Sequence, residues 1–378
     1  MPGDVSDIGM SDDLSPGLEK RLRQSAEDTA GTGRPDQDCL TELRTSGLLA
    51  TAVPREYGGV GGDASAVNRV VERLACLNPS LAIMAFQHFA VTSRIVEWGT
   101  TEQKSALLPR LADGVYLAAS AWSELGAGAA KRLLSSTADR RPDGTWVLNG
   151  AKSFTTSASV ADLYLVLVRT DGPAPGTDTD TGYGAAGQTF FLVPAGNPGL
   201  ATDLSLDLVG MRGSATGFVS LRQCVVHDTD RLGPQGRAAQ IIAGVRESGA
   251  TLGAVALGVA QAALELLVDH FRRGGQLDRP VVRDRLVGLA TEVESARAVV
   301  ERAGRRSAPD PGTATLHSKL HASAVAERVC LEVAGMLGST GYNTGSAVNR
   351  LLADARAVAL MGPTNELCRE LLAAAWQG

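Results

Sequence analysis

The chain has 378 residues, enough for two or three domains around a sizeable core. Hydrophobic residues make up 44% and charged residues 20%, and the net charge of -5 argues against a nucleic-acid binder, which would show a basic face. Five scattered cysteines with no C-x-x-C pair argue against a disulfide framework or a structural zinc site. The acidic start MPGDVSDIGMSDDLSPG has no apolar run of a secretory signal, and no stretch reaches the roughly 18 apolar residues of a membrane helix. A reduced, cytoplasmic, soluble protein is expected.

In chain order, residues 1–16 are rich in Asp, Ser and Gly and read as a disordered N-terminus. Helical periodicity begins near Leu18 and Leu22 and continues, with short breaks, to about residue 120. NRVVERLACL puts Val70, Leu74 and Leu77 on one face; TSRIVEWG stops at Gly99; TTEQKSALLPRLADG starts on a threonine cap and stops at Gly114. The character then changes. TWVLNG, DLYLVLVRT, QTFFLVPA and GFVSLRQCVV are short runs of β-branched and aromatic residues between Gly, Pro and Asp turns, with the loop 171–187 among them. Residues 121–233 read as a small antiparallel β domain. From 234 to 378 the helical period returns: Leu257, Gln261, Leu264, Val268 and Phe271 share one helix, and three further helical stretches follow. Residues 17–120 make the first helical domain of this series.

Six segments in this order resemble the acyl-CoA dehydrogenase family of flavoproteins over about residues 38–378. They are VPREYGGVGG (53–62), EWGTTEQKSALLPRLADGVYLAASAWSE (97–124), LNGAKSFTTSASVAD (148–162), VGMRGSATGFVSLRQCVVHDTDRLG (209–233), LGVAQAALELL (257–267) and NRLLADARAVALMGPTNEL (349–367). The resemblance implies an α+β fold: an N-terminal helical domain, a middle antiparallel β domain and a C-terminal four-helix bundle. It implies FAD between the β domain and the C-terminal helices, an acyl thioester against the flavin, and a carboxylate base for the α-proton. On this resemblance Ala121, Trp122 and Ser123 meet the flavin ring, Phe154 stands where the family has a tryptophan, and Thr156 matches a threonine contact. Thr364 matches a threonine near the FAD diphosphate, Gly338 and Gly341 a turn near FAD, and Glu366 a position that approaches the cofactor.

Departures from the pattern fall on the chemistry. Counted from Asp354-Ala355-Arg356, the family's catalytic glutamate position is Gly362, which has no proton acceptor. Some members carry the base on an earlier helix, just before an arginine. Counted back from Leu257-Gly258, those positions are Ser248 and Gly249, with Glu247 and Arg246 one residue away. Glu247 and Glu366 are therefore the candidate bases, and Arg246 a candidate substrate contact. A serine-aspartate pair of the family is Ala129-Ala130 here. The segment that supplies an arginine to a neighbouring subunit's FAD is short, leaving Arg272 or Arg273 to replace it. His88 lies on a helix near the expected substrate cavity. His317 and His321 are four apart but have no third ligand, so no metal is expected.

The first functional expectation is a flavin-dependent oxidoreductase that desaturates an acyl thioester, on CoA or a carrier protein, in a specialised pathway. The alternatives are a flavin-dependent monooxygenase on the same fold and a family member that has lost flavin. An electron-transfer partner is expected with the first and a flavin-reductase partner with the monooxygenase, and the resemblance implies a homodimer or homotetramer.

Overall fold

Short polar caps and prolines set where the helices begin. The computed structural model describes residues 14–126, 134–170, 186–374 and 376. Ser15 caps α1 (Pro16–Thr32) by accepting the Leu18 N–H, and Gly33 ends it at φ 65°. Asp36, Asp63 and Asn78 cap α2 (Gln37–Thr45), α3 (Ala64–Leu77) and α4 (Pro79–Trp98) in the same manner. Thr100 and Gln103 form a reciprocal capping box on α5 (Thr101–Ala112). Val70, Leu74 and Leu77 are all buried on α3. The α4 helix is apolar nearly all round because it is covered on every side, by α3, α5, α7 and the first strand.

The strands are β1 (Ala118–Ala121), β2 (Thr137–Arg140), β3 (Trp146–Thr155), β4 (Leu163–Arg169), β5 (Gln188–Pro194), β6 (Leu200–Asp203), β7 (Gly217–Val226) and β8 (Arg231–Leu232). They form one sheet in the order β6-β7-β3-β2-β4-β5-β8, with β1 added beside β4. Most pairings are antiparallel, as expected, but β1 and β2 both run parallel to β4. β4 and β5 are buried on both faces, which is why they read as unbroken apolar runs rather than alternating ones.

Seven helices complete the chain among the described residues: α6 (Ala238–Glu247), α7 (Gly253–Arg273), α8 (Pro280–Gly304), α9 (Pro311–Met336), α10 (Ser339–Tyr342), α11 (Ala347–Leu360) and α12 (Asn365–Ala374). α7 is the hub, packed on α3, α8, α9 and α11. By length and composition alone it could cross a membrane, but its apolar surface is packed on these helices. Gly258 allows the α3 crossing, since a Cβ there would stand 2.3 Å from the Glu72 carbonyl oxygen. The first helices and the last ones thus share one continuous apolar core, with the β domain set against one side of it. The expected disordered segment and the loop 171–187 fall largely outside the described residues, as do Ala129 and Ala130.

Candidate active site

β1 ends at the buried Ala121, and Trp122, Ser123 and Glu124 follow it out of the sheet. β3 runs alongside, and the Ser153 N–H donates to the Ser123 carbonyl at 2.9 Å. Beneath this contact the Lys152 ammonium meets Glu124 Oε1 at 2.6 Å, with both side chains almost wholly buried. Glu124 also accepts from the Ser135 N–H and hydroxyl and from the Ser136 N–H. Burial works to raise the Glu124 carboxyl, but Lys152 and the serines outweigh it and hold it well below the usual carboxylate range. Burial pulls the Lys152 amine down, against Glu124. The pair is a buried ionic clamp that ties the Ser123 segment to β3.

Two residues beyond Lys152, Phe154 has φ 53° and is 56% exposed. An aromatic side chain in the left-handed region is strained, and such strain collects where a surface is built for a ligand. Six non-glycine residues have positive φ among the described residues, and four of them, Phe154, Ser157, Met211 and Ala215, lie on this rim. Thr156 is nearly buried, and its Oγ1 accepts from the Thr216 hydroxyl at 3.2 Å. Ser157 and Ala158 donate their N–H groups to the Ser214 and Ala215 carbonyls, so the end of β3 is stitched to the loop 211–216.

That loop is anchored on the helices. The Met211 N–H donates to Asp354 Oδ1 of α11 at 2.5 Å, and the Gly213 N–H to Ser80 Oγ of α4 at 3.2 Å. Burial pushes the Asp354 carboxyl up to about 6, against the Met211 N–H and Arg350. Beside it lies a cavity of about 300 Å³ lined by Ser80, Met211, Arg212, Arg350 and Asp354.

On the helical side, the turn between α11 and α12 carries the expected Gly362 and Thr364. Gly362 is exposed there, flanked by Met361 and Pro363, whose carbonyls both accept from the Lys319 ammonium of α9. Thr364 caps α12, its Oγ1 accepting the Leu367 N–H at 3.2 Å. Leu367, Val91 and Ile95 of α4, Ile241 of α6 and Trp122 share one apolar cluster, which brings α12 and the Trp122 segment to the same side of the core.

The other expected residues spread more widely. Glu366 points outward on α12, 81% exposed and paired with Arg369. Glu247 ends α6 exposed and forms no ion pair among the described residues; with Arg246 it lies over Gly312 at the start of α9. Arg246 Nε is buried without a hydrogen-bond partner. Ser248 turns its hydroxyl back to the Val245 carbonyl. His88 has no exposed surface: its Nδ1 accepts the Ala118 N–H at 3.3 Å, and burial lowers it to about 4, so it is a neutral strut between α4 and β1 rather than a cavity wall. Arg272 is exposed near the end of α7 and paired with Asp269. Gly338 at φ 60° opens α10, and Gly341 is needed because a Cβ would stand 2.1 Å from the Ala334 carbonyl oxygen. These last three belong to the helical bundle, away from the β3 rim in sequence and in element.

The family descriptions "Acyl-CoA dehydrogenase, N-terminal domain", "middle domain" and "C-terminal domain" match residues 12–115, 119–224 and 238–376. The chain belongs to the acyl-CoA dehydrogenase family. It is similar to L-prolyl-[peptidyl-carrier protein] dehydrogenase of Pseudomonas fluorescens, 30% identical over 339 residues that cover 87% of each chain. It is 28% identical to an acyl-CoA dehydrogenase of Bacillus subtilis over 93% of each chain. Butyryl-CoA dehydrogenase from Megasphaera elsdenii superposes with a TM-score of 0.84 at 26% identity, over 98% of this chain and 100% of that one. The prolyl acyl carrier protein oxidase AnaB shares the fold, with a TM-score of 0.80 at 24% identity over 95% of this chain and 98% of that one. As a member of this family, the protein is a flavin-dependent oxidoreductase of the class that acts on acyl thioesters.

The Lys152–Glu124 clamp, the Asp354 anchor and Lys319 were not among the residues singled out from the sequence. One signal was available: lysine is rare in an arginine-rich chain, and two of its five lysines are buried here.

Proposed function

We propose that the protein uses FAD to introduce a double bond into an acyl group carried as a thioester, on CoA or on a carrier protein. The observation that carries this reading is Phe154, an exposed aromatic ring held at φ 53° beside Ser123 and Thr156 in a chain matched to the family end to end. The residues present fit an isoalloxazine: a ring face from Phe154, hydroxyls from Ser123 and Thr156, and an apolar wall at Ala121 and Trp122. Thr364 would serve the diphosphate. Arg272, on α7, would serve the FAD of a neighbouring copy in a homodimer or homotetramer, and Gly338 and Gly341 would shape a turn near FAD. When bound, FAD supplies a two-electron acceptor for hydride from the acyl chain.

The chain's own task is to take the α-proton. Gly362 offers no acceptor. Glu366 is 81% exposed and paired with Arg369, whereas Glu247, at the end of α6, forms no ion pair among the described residues. Glu247 is the acceptor in this reading, and Arg246, with its unsatisfied Nε, a contact for the thioester substrate. An electron-transferring partner would re-oxidise the cofactor.

The direct test is anaerobic mixing of FAD-loaded protein with a panel of acyl-CoA and acyl-carrier-protein thioesters. Bleaching of the flavin band without NAD(P)H is expected for one of the two carrier classes. Flavin that is bleached only by NAD(P)H, with oxygen consumed afterwards, would replace this reading with oxygen chemistry.

A further inference from the structure

Lys319 is one of the few lysines in this chain, and it sits in the middle of α9 with 3% of its surface exposed. A buried ammonium is costly to place unless its protons are used. Among the described residues no carboxylate is paired with it. Its Nζ lies 2.8 Å from the Met361 carbonyl oxygen and also donates to the Pro363 carbonyl oxygen. These two carbonyls flank Gly362, so one side chain spans the whole turn between α11 and α12. Loss of solvent pulls the amine below its ordinary range, with the neighbouring Cys368 as the opposing influence, yet at about 8 it remains mostly charged at neutral pH. Around it the turn has further fixing. Asn365 donates to Ser323 Oγ of α9 at 2.9 Å, and Thr364 closes the first turn of α12.

We propose that Lys319 is a positioning residue for the cofactor: it fixes the 361–364 turn against α9 and so holds Thr364 at the angle at which it meets FAD. The proposal rests on the flavin reading above. It differs from a plain packing role because α9 and α12 are already joined by Leu316, Cys368 and Leu372, an apolar contact that does not need a charge. The ammonium adds direction to that contact. It grips backbone oxygens, and backbone oxygens set where the next side chain points.

The test is a double-mutant cycle on FAD affinity, followed by flavin fluorescence, with the parent, K319M, T364V and K319M/T364V. Charge-assisted hydrogen bonds to a preformed site predict an FAD Kd about tenfold weaker in K319M. In the T364V background, K319M should then have no further effect beyond about twofold, because it acts through Thr364. K319Q keeps one donor and should fall between parent and K319M; it carries the same test if K319M does not fold. An FAD affinity within about twofold of the parent in a folded K319M or K319Q chain overturns the proposal, as do independent, multiplying effects in the double variant. Loss of folding in both Lys319 variants also overturns it, by making Lys319 a support of the whole bundle. A parent that takes up no FAD removes the flavin reading itself, which separates the two failures.

Discussion

Replacing Lys152 by methionine keeps its length and removes its charge. The ammonium lies 2.6 Å from Glu124 Oε1, and the two side chains are 0% and 3% exposed. Removing one partner of such a pair costs about 3–5 kcal/mol, because the other charge is left buried. Glu124 keeps three donors from Ser135 and Ser136, so the lower end applies, about 3 kcal/mol. For a cooperative unit of about 150–250 residues that is a fall of about 6–12 °C in the first unfolding transition. The effect has a pH signature. Glu124 is held below its ordinary 4.5, at about 2, so its contribution is full above 4.5 and is lost as pH falls through that window. The gap between parent and K152M should therefore narrow as pH falls below about 4.5. E124Q/K152M, which removes both charges, should recover most of the lost stability. Thermal unfolding followed by near-ultraviolet circular dichroism reads all three chains. A K152M transition within about 2 °C of the parent at pH 7, or a deficit that does not change with pH, would refute the clamp.

Three further outcomes follow from the same geometry. F154G relieves a left-handed backbone at φ 53° and so should raise stability by about 1 kcal/mol while weakening FAD binding, two opposite signs in one variant; a loss on both counts would show that the ring packs rather than binds. Asp354 is raised from 3.8 to about 6, so the penalty for its charge appears as pH rises through that window and is complete above it; melting scans from pH 4 to 7 should lose this downward component in D354N, and an unchanged slope counts against the anchor. E247Q should slow flavin bleaching by acyl thioester about 100-fold or more, whereas E366Q should leave it within about twofold, and the reverse ranking would reassign the base.

The helices were legible because their stops and caps are local. Gly99, Thr100 and the Val70, Leu74, Leu77 stripe each act within a turn or two of chain. The turn at Gly341 was legible as a glycine position, but its cause, the Ala334 carbonyl seven residues back, was not. What escaped was non-local. Lys152 meets a carboxylate 28 residues earlier, Met211 an aspartate 143 residues later, and Lys319 carbonyls 42 and 44 residues later. No periodicity links such positions; only the folded chain brings them together. His88 shows the converse. It was expected near a substrate cavity that the family resemblance implies, but the residue is fully buried and its Nδ1 accepts from the Ala118 N–H of β1. Burial also explains α7, whose composition suits lipid and whose neighbours are other helices.

The central claim is that the β3 rim and the 361–364 turn form a flavin site. The most direct measurement is the visible absorption spectrum of the purified protein during FAD titration, with F154A alongside. The account predicts a saturable, shifted flavin band for the parent and weaker uptake by F154A. A parent chain that takes up no flavin at saturating FAD, or an F154A chain that binds as tightly as the parent, would contradict it.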